Sequence, residues 1–278
     1  MTTLQQPLVL VLGGTGKVGR RIVARLTTRG VPVRIGARGA IPAFDWTNPA
    51  TWGDVLDGAR AVFISYAPDI AVPGAPQAVG ALTRQAAAQG VQRFVLLSGR
   101  GDEEAEAAER LVQQAGVAWT IVRCSWFAQN FSENFLLEPI LAGEVALPVD
   151  SVGEPFVDAD DIADVATEAL LDKRHAGQLH ELTGPRLLTF SEAVQEIARA
   201  ANRAIRFTTI PLEDFTAHLT AAGLTQDEVS LVAYLFSTVF DGRNSSITNG
   251  VQRALGRAPR EFAGYAANAT ASGVWSTR

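Results

Sequence analysis

Lysine is almost missing from this chain: its 278 residues hold only Lys17 and Lys173. Chemistry that needs a lysine anywhere else is excluded. A single cysteine, Cys124, excludes an internal disulfide framework and a multi-cysteine zinc site. The three histidines, His175, His180 and His218, lack metal-ligand spacing, so no metal is expected. No early apolar run exceeds Leu8 to Leu12, far short of the roughly 20 residues of a membrane span. The start, MTTLQQP, has neither the basic region nor the long apolar stretch of a secretory signal. A soluble, cytoplasmic protein with no membrane partner is the expectation.

Acids are absent from residues 1–44, which carry Lys17, Arg20, Arg21, Arg25, Arg29, Arg34 and Arg38. That segment is +7, the remainder is −12, and Asp45 is the first acid. The net charge of −5 argues against a general nucleic-acid surface. With 47% apolar and 19% charged residues, the chain has the composition of a globular protein with a sizeable core.

Buried-strand patterns run at Leu8–Leu12, Val31–Ile35, Ala61–Tyr66, Phe94–Ser98 and Trp119–Arg123, and helical patterns separate them. This alternation predicts βαβ units and a parallel sheet. Later come a helix at Asp158–Leu171, an extended segment at Gln178–Thr183, and a helix from Ser191, with Ser191 as its cap. Phe207–Ile210 is extended, and four helical stretches near 212–223, 225–240, 245–255 and 259–270 follow. The fold class is therefore α/β, a Rossmann-like doubly wound sheet with a smaller, mostly helical C-terminal lobe. The division expected is 1–150 for an NADP-binding domain and 151–278 for a substrate-binding lobe, with the segment near 178–183 returning to the sheet.

Gly13-Gly14-Thr15-Gly16-Lys17-Val18-Gly19 lies directly between the first strand and the first helix. Glycines at 13, 16 and 19 suit a tight turn, close approach to a pyrophosphate, and close helix–strand packing. A Walker loop is excluded, because Val18 follows Lys17 and Val11 stands where the first glycine would be. Readers of NAD place a carboxylate about 20 residues on, whereas readers of NADP place an arginine there. No acid is available, and the second strand ends in Arg38, so the cofactor expected is NADP(H). The plainer reading of Arg20, Arg21, Arg25 and Arg29 is a solvated helix face.

The stretches GGTGKVG, FDW at 44–46, RFVLLS at 93–98, WTIVRCSWFAQNFSENF at 119–135, PFVDADDIADVA at 155–166 and LTGPRLLTFSEAV at 182–194 occur in that order. With them the chain resembles the NmrA-like atypical short-chain dehydrogenase/reductases, in the branch of the ergot-alkaloid iminium reductases. The resemblance implies a Rossmann domain with a small C-terminal lobe. It assigns Gly13, Thr15, Gly16, Lys17, Val18 and Gly19 to the pyrophosphate, Arg38 to the 2′-phosphate and Asp45 to the neighbourhood of adenine. Ser65, Tyr66 and Ala67 would line the nicotinamide side. Ser98 and Tyr66 are the catalytic candidates, and Trp126, Phe127 and Asn130 would border the substrate.

Ordinary short-chain reductases protonate their product with a Tyr-x-x-x-Lys pair. None of Tyr66, Tyr234 and Tyr265 has a lysine four residues on. A ketone leaves an alkoxide that needs a positioned acid, worth roughly 10²–10⁴-fold. An iminium ion accepts hydride and needs no proton in that step. A small imine or iminium acceptor is therefore expected, with a quinone or activated C=C bond as the alternative. A non-enzymatic NADP-sensing regulator is the other alternative. A monomer or homodimer is expected. The plainer readings are helix capping for Asp158, Asp160 and Asp161, a solvated first turn for Asp102–Glu106, and a small hydrophobe for Cys124.

Overall fold

The computed structural model describes residues 7–276, which fall into two compact units. The first holds the chain through Cys124 together with Ala159–Leu182 and Gly250–Arg257. The second holds Ser125–Asp158, Thr183–Asn249 and the stretch from Ala258. A single cut near residue 150 therefore gives way to an interleaved division. The physical reason is that three separate chain segments supply strands or helices to the first unit's sheet.

That sheet has six strands in the order β2-β1-β3-β4-β5-β7, and every neighbouring pair is parallel. The strands are β1 (Leu8–Leu12), β2 (Val33–Gly36), β3 (Ala59–Ile64), β4 (Arg93–Gly99), β5 (Ala118–Cys124) and β7 (Gln178–Leu182). Continuous apolar runs such as LVLVL suit strands covered on both faces. Leu10, Leu12, Val62, Ile64, Phe94 and Leu96 pack with α2 (Trp52–Leu56), α3 (Ala75–Ala88) and α4 (Glu103–Gln113). Helix α6 (Ala159–Leu171) lies along β3, β4 and β5 and against α1 (Lys17–Thr28). Helix α10 (Gly250–Leu255) starts on β7, where a Cβ on Gly250 would come within 2.0 Å of the Glu181 carbonyl. Only glycine permits that approach.

The second unit is less purely helical than expected. Glu144–Leu147 forms β6 and pairs in parallel with β8, Arg206–Thr209. Around them sit α5 (Leu137–Ala142), α7 (Phe190–Ala201), α8 (Leu212–Ala221), α9 (Gln226–Tyr234) and α11 (Phe262–Ala271). A π-helical turn, Leu235–Val239, continues α9. The core is aromatic: Phe131, Phe156, Phe190 and Phe262 lie within 5.2–5.9 Å of one another in the contacting pairs. The cap of α7 is Thr189 rather than Ser191, in a capping box with Glu192. Phe190 is fully buried, and drawing it into the first helical turn moves the start two residues earlier than the Ser191 cap implies.

Candidate functional site

The loop between β1 and α1 is built as its glycine spacing requires. Gly13 has φ +69° and donates its N–H to the Gly36 carbonyl at 2.9 Å, which ties the loop to the end of β2. A Cβ on Gly19 would fall 2.1 Å from the Gly13 carbonyl oxygen, so α1 can approach the loop only through glycine. A Cβ on Gly14 would meet Ile35 at 2.9 Å. Gly16 caps α1 in extended conformation, with no side chain capping the helix and no acid in its first turn. Thr15 and Gly16 are exposed, while Val18 is buried. Uncapped N–H groups and the positive end of the helix dipole make this an anion cradle.

The basic segment divides between two tasks that the sequence does not separate. Arg21, Arg25 and Arg29 are not a solvated face. They form a ladder with Asp160, Asp164 and Glu168 of α6, including Arg25–Asp160 at 2.7 Å, Arg25–Asp164 at 2.6 Å and Arg29–Glu168 at 2.6 Å. One turn of α1 matches one turn of α6, because i and i+4 side chains share a helix face. Asp161, fully buried, pairs with Arg257 at 2.7 Å. Asp160 and Asp161 therefore hold helices together rather than only capping one. Asp158 accepts a hydrogen bond from Gln129 at 2.8 Å. Arg34 donates to the Val55 carbonyl at 2.9 Å and closes the end of α2. Arg38 remains exposed just past β2.

Asp45 lies after that arginine. Its carboxylate accepts from the Thr47 N–H and the Thr47 hydroxyl, both at 2.8 Å, and these bonds hold it below the usual carboxylate range, with a smaller contribution from the Arg38 charge. Trp52 Nε1 donates to the Asp45 carbonyl at 2.8 Å. Asp45 thus shapes the loop that follows Arg38.

β3 ends at Ile64, so Ser65, Tyr66 and Ala67 stand just beyond the strand instead of within it. Ser65 lies against the glycine loop: a Cβ on Gly13 would sit 3.2 Å from Ser65 Cβ. Trp46 Nε1 donates to the Ser65 carbonyl at 3.2 Å, and the Trp46 ring lies 4.8 Å from that of Tyr66. Burial pushes the Tyr66 phenol up. Ala67 is exposed.

Ser98 has a different role from the one expected of it. It is buried, and its hydroxyl donates to Glu109 Oε1 at 2.6 Å. Glu109 is also held by Arg123, whose Nε donates to the same oxygen at 2.9 Å and whose Nη2 donates to the other. Arg100 pairs with Glu181 at 3.0 Å beside this cluster. The Ser98 proton is thus committed to a buried carboxylate. On α4, the sequence EEAEAAERLVQ offers neither tyrosine nor lysine.

Two carboxyl groups lie past the ends of β3 and β4: Asp69, which the sequence did not single out, and Asp102, which it placed in a solvated first helical turn. Asp69 follows β3 by five residues, is partly buried, and accepts from the Ala71 N–H at 2.9 Å. Burial pushes its carboxyl up and the Asp102 charge adds to this, while the Ala71 N–H and the Lys17 charge oppose it. Asp102 is only 4% exposed, not a solvated first-turn acid. Its Oδ1 caps α4 by accepting from the Ala105 N–H at 2.6 Å. Its Oδ2 is buried and has no hydrogen-bond partner. The usable signal was position alone, since ligands of open α/β sheets bind outside the carboxyl ends of the strands.

Trp126, Phe127 and Asn130 belong to the second unit. The Trp126 N–H donates to the buried Glu154 carboxylate at 3.0 Å, and the Trp126 ring packs on Phe240 at 4.8 Å. Its indole N–H is buried and without a partner. Phe127 bridges to Val157, and Asn130 is buried in the short turn Ala128–Phe131. Burial pushes the Cys124 thiol well up, which makes it a poor nucleophile. Among the described residues, no group of three or more His, Cys, Asp or Glu could hold a metal ion. No helix among them is long and apolar enough to cross a membrane.

A family model described as NAD(P)H-binding matches residues 13–173. The chain is 30% identical to an NAD(P)H azoreductase of Xenophilus azovorans, covering 96% of this chain and 100% of that one. It is 29% identical to agroclavine dehydrogenase of Claviceps fusiformis, covering 97% and 99%. Among solved structures it matches the NADPH-dependent quinone oxidoreductase of Escherichia coli in complex with NADPH. That match has a TM-score of 0.78 and 16% identity, and covers 94% of this chain and 99% of that one. This last likeness shows the fold.

Proposed function

From the premise that this chain belongs to the NAD(P)H-binding family, as an NmrA-like atypical short-chain dehydrogenase/reductase, we propose that it is an NADPH-dependent reductase of small imines or iminium ions. That it is an NAD(P)H-dependent oxidoreductase follows from the family; the cofactor preference and the acceptor are our reading. One observation carries the acceptor: the Tyr–Lys pair is missing from α4, and Ser98 gives its proton to Glu109. The relative named for azo reduction supports a nitrogen-bearing electrophile.

The residues present fit a dinucleotide. The Gly13–Gly19 loop is a cradle that side chains would fill, and α1 opens on it without a cap or an acid. Gly13, Thr15, Gly16, Lys17, Val18 and Gly19 would hold the pyrophosphate. Arg38 would take a 2′-phosphate, supported by its exposure while Arg21, Arg25, Arg29 and Arg34 are engaged elsewhere. Asp45 would hold the loop beside the adenine, and Ser65 and Ala67 would flank the nicotinamide. When bound, NADPH supplies the hydride. Positioning by the chain then provides most of the catalysis for a cationic acceptor. Tyr66, fixed against Trp46, would donate a hydrogen bond, and Trp126, Phe127 and Asn130 would touch the acceptor.

The test is NADPH oxidation with an N-alkyl iminium salt, a cyclic imine and a quinone. Turnover of the iminium salt is expected. Tight NADPH binding with no acceptor reduced would reject the enzyme reading and leave an NADPH sensor. Arg38→Ala is expected to weaken NADPH at least 10-fold more than NADH, on the scale of one charge-assisted bidentate contact. Equal losses would reject the cofactor assignment.

A further inference from the structure

The two groups that would read the phosphates of a dinucleotide stand on different pieces of chain. The glycine loop follows β1, whereas Arg38 lies in the arm of residues 37–51 that follows β2. At its base the arm is tied to the loop, where the Gly13 N–H meets the Gly36 carbonyl at 2.9 Å. Farther out it is folded on itself. The Phe44 N–H donates to the Ala37 carbonyl at 3.0 Å and closes the segment that holds Arg38. The Asp45 N–H donates to Thr51 Oγ1 at 3.0 Å, and Trp52 Nε1 donates to the Asp45 carbonyl at 2.8 Å. Trp46 reaches from this arm to the opposite wall of the cradle. Its Nε1 donates to the Ser65 carbonyl at 3.2 Å. Ser65 is the residue that borders the loop: a Cβ on Gly13 would lie 3.2 Å from Ser65 Cβ and 3.7 Å from that same carbonyl oxygen. The indole stands edge-on to the buried rings of Phe44 at 5.0 Å and Trp52 at 6.0 Å, and its third neighbour is Tyr66 at 4.8 Å. Ring contacts hold the indole in place but permit some sliding, whereas a hydrogen bond fixes both distance and direction.

We propose that Trp46 is a positioning residue for the dinucleotide: its indole N–H, on the Ser65 carbonyl, holds the Arg38 arm in register with the glycine loop, so that one frame reads the 2′-phosphate and the pyrophosphate together. This rests on the NADPH reading and names what presents Arg38 to the cofactor. A ligand that engages both pieces needs them in register at once. If the N–H is removed, the arm is in register in only a fraction of the molecules, and the apparent affinity falls by that fraction. NADPH engages both pieces. NADH brings no 2′-phosphate to Arg38 and gains little from the register.

The experiment measures dissociation constants for NADPH and NADH by titration calorimetry. The full chain is used, as wild type, Trp46→Phe, Arg38→Ala and the double variant. Trp46→Phe keeps a ring among Phe44, Trp52 and Tyr66 and removes the donor, so it should fold. It is expected to weaken NADPH about 5-fold, the scale of one neutral hydrogen bond, and NADH by less than about 2-fold. In the Arg38→Ala background the arm has no guanidinium left to present, so adding Trp46→Phe should cost NADPH nothing further. Equal losses of NADPH and NADH in Trp46→Phe, or losses that add in the double variant, overturn the proposal while leaving the NADPH reading intact. Equal losses in Arg38→Ala reject the NADPH reading and the role of Trp46 with it. A second measurement needs neither a variant nor a ligand: hydrogen exchange of the Trp46 indole N–H in the wild-type chain, its NMR signal identified among the five tryptophans by contact with the Tyr66 ring. Exchange slower than in the urea-unfolded chain is expected. Exchange as fast as in the unfolded chain overturns the tie itself, whichever dinucleotide the protein prefers.

Discussion

Glu109 and Asp102 are two buried carboxylates of one helical segment, and the fold treats them in opposite ways. Glu109, 2% exposed, is met by Ser98 and by both ends of the Arg123 fork. Asp102, 4% exposed, has one oxygen on a backbone N–H and the other on nothing. The first arrangement neutralises a buried charge and locks β4, α4 and β5 together. The second leaves a buried acceptor oxygen without a donor. A satisfied buried ion pair ties elements together, whereas an unmet buried oxygen carries a desolvation cost that no partner offsets.

The largest expected effect comes from breaking the satisfied member. Arg123→Met strands Glu109 without its cation and should lower stability by about 3–5 kcal/mol, as read by urea unfolding. Adding Glu109→Leu to that variant should recover most of the loss, because replacing both partners removes the uncompensated charge. A second loss of similar kind would show that Glu109 is not held by Arg123.

Next is a buried pair that, like Asp102, leaves one atom unmet. His175 Nδ1 and His180 Nε2 lie 3.0 Å apart, and His180 Nδ1 is buried without a partner. Burial, with the charges on His175 and Arg253, lowers His180 from 6.5 to about 4. Folding therefore selects the neutral ring. Its contribution is present above pH 6.5 and is lost as pH falls from 6.5 towards 4. The loss should reach about 3 kcal/mol, from the linkage of a shift of this size. Unfolding curves for wild type and His180→Gln over that window measure it; parallel curves would remove His180 as the cause.

Smaller still is the cap. Asp102→Ala should lose about 1 kcal/mol through α4, whereas Asp102→Asn, which keeps the acceptor, should lose much less. Equal losses would mean that the charge, not the cap, is what Asp102 contributes to stability. The smallest effect concerns Asp69. Its carboxyl is raised on folding, so its stabilising contribution is present below the unfolded value and is lost as pH rises through the folded one. Asp69→Asn should therefore match or exceed wild type in stability at neutral pH, and the difference should change in favour of wild type as the medium becomes acidic. A pH-independent difference would argue against a raised Asp69.

The sheet, the glycine loop and the missing acid pair were legible in the chain alone. Those features are local: a run such as LVLVL must be covered on both faces, Gly19 must be glycine to sit under Gly13, and EEAEAAERLVQ has no tyrosine or lysine in any fold. What the charges do became visible only in the folded arrangement. Arg25 and Asp164 are 139 residues apart in the chain and 2.6 Å apart in space, and no pattern along either helix announces the other. Ser98 reads as a strand-end hydroxyl until β5 brings Arg123 alongside β4 and Glu109 turns in from α4. Asp102 reads as a solvated acid until its neighbours bury it. Backbone geometry is written in short-range spacing, whereas the ionisation and hydrogen bonding of a side chain depend on partners that strand order delivers from elsewhere.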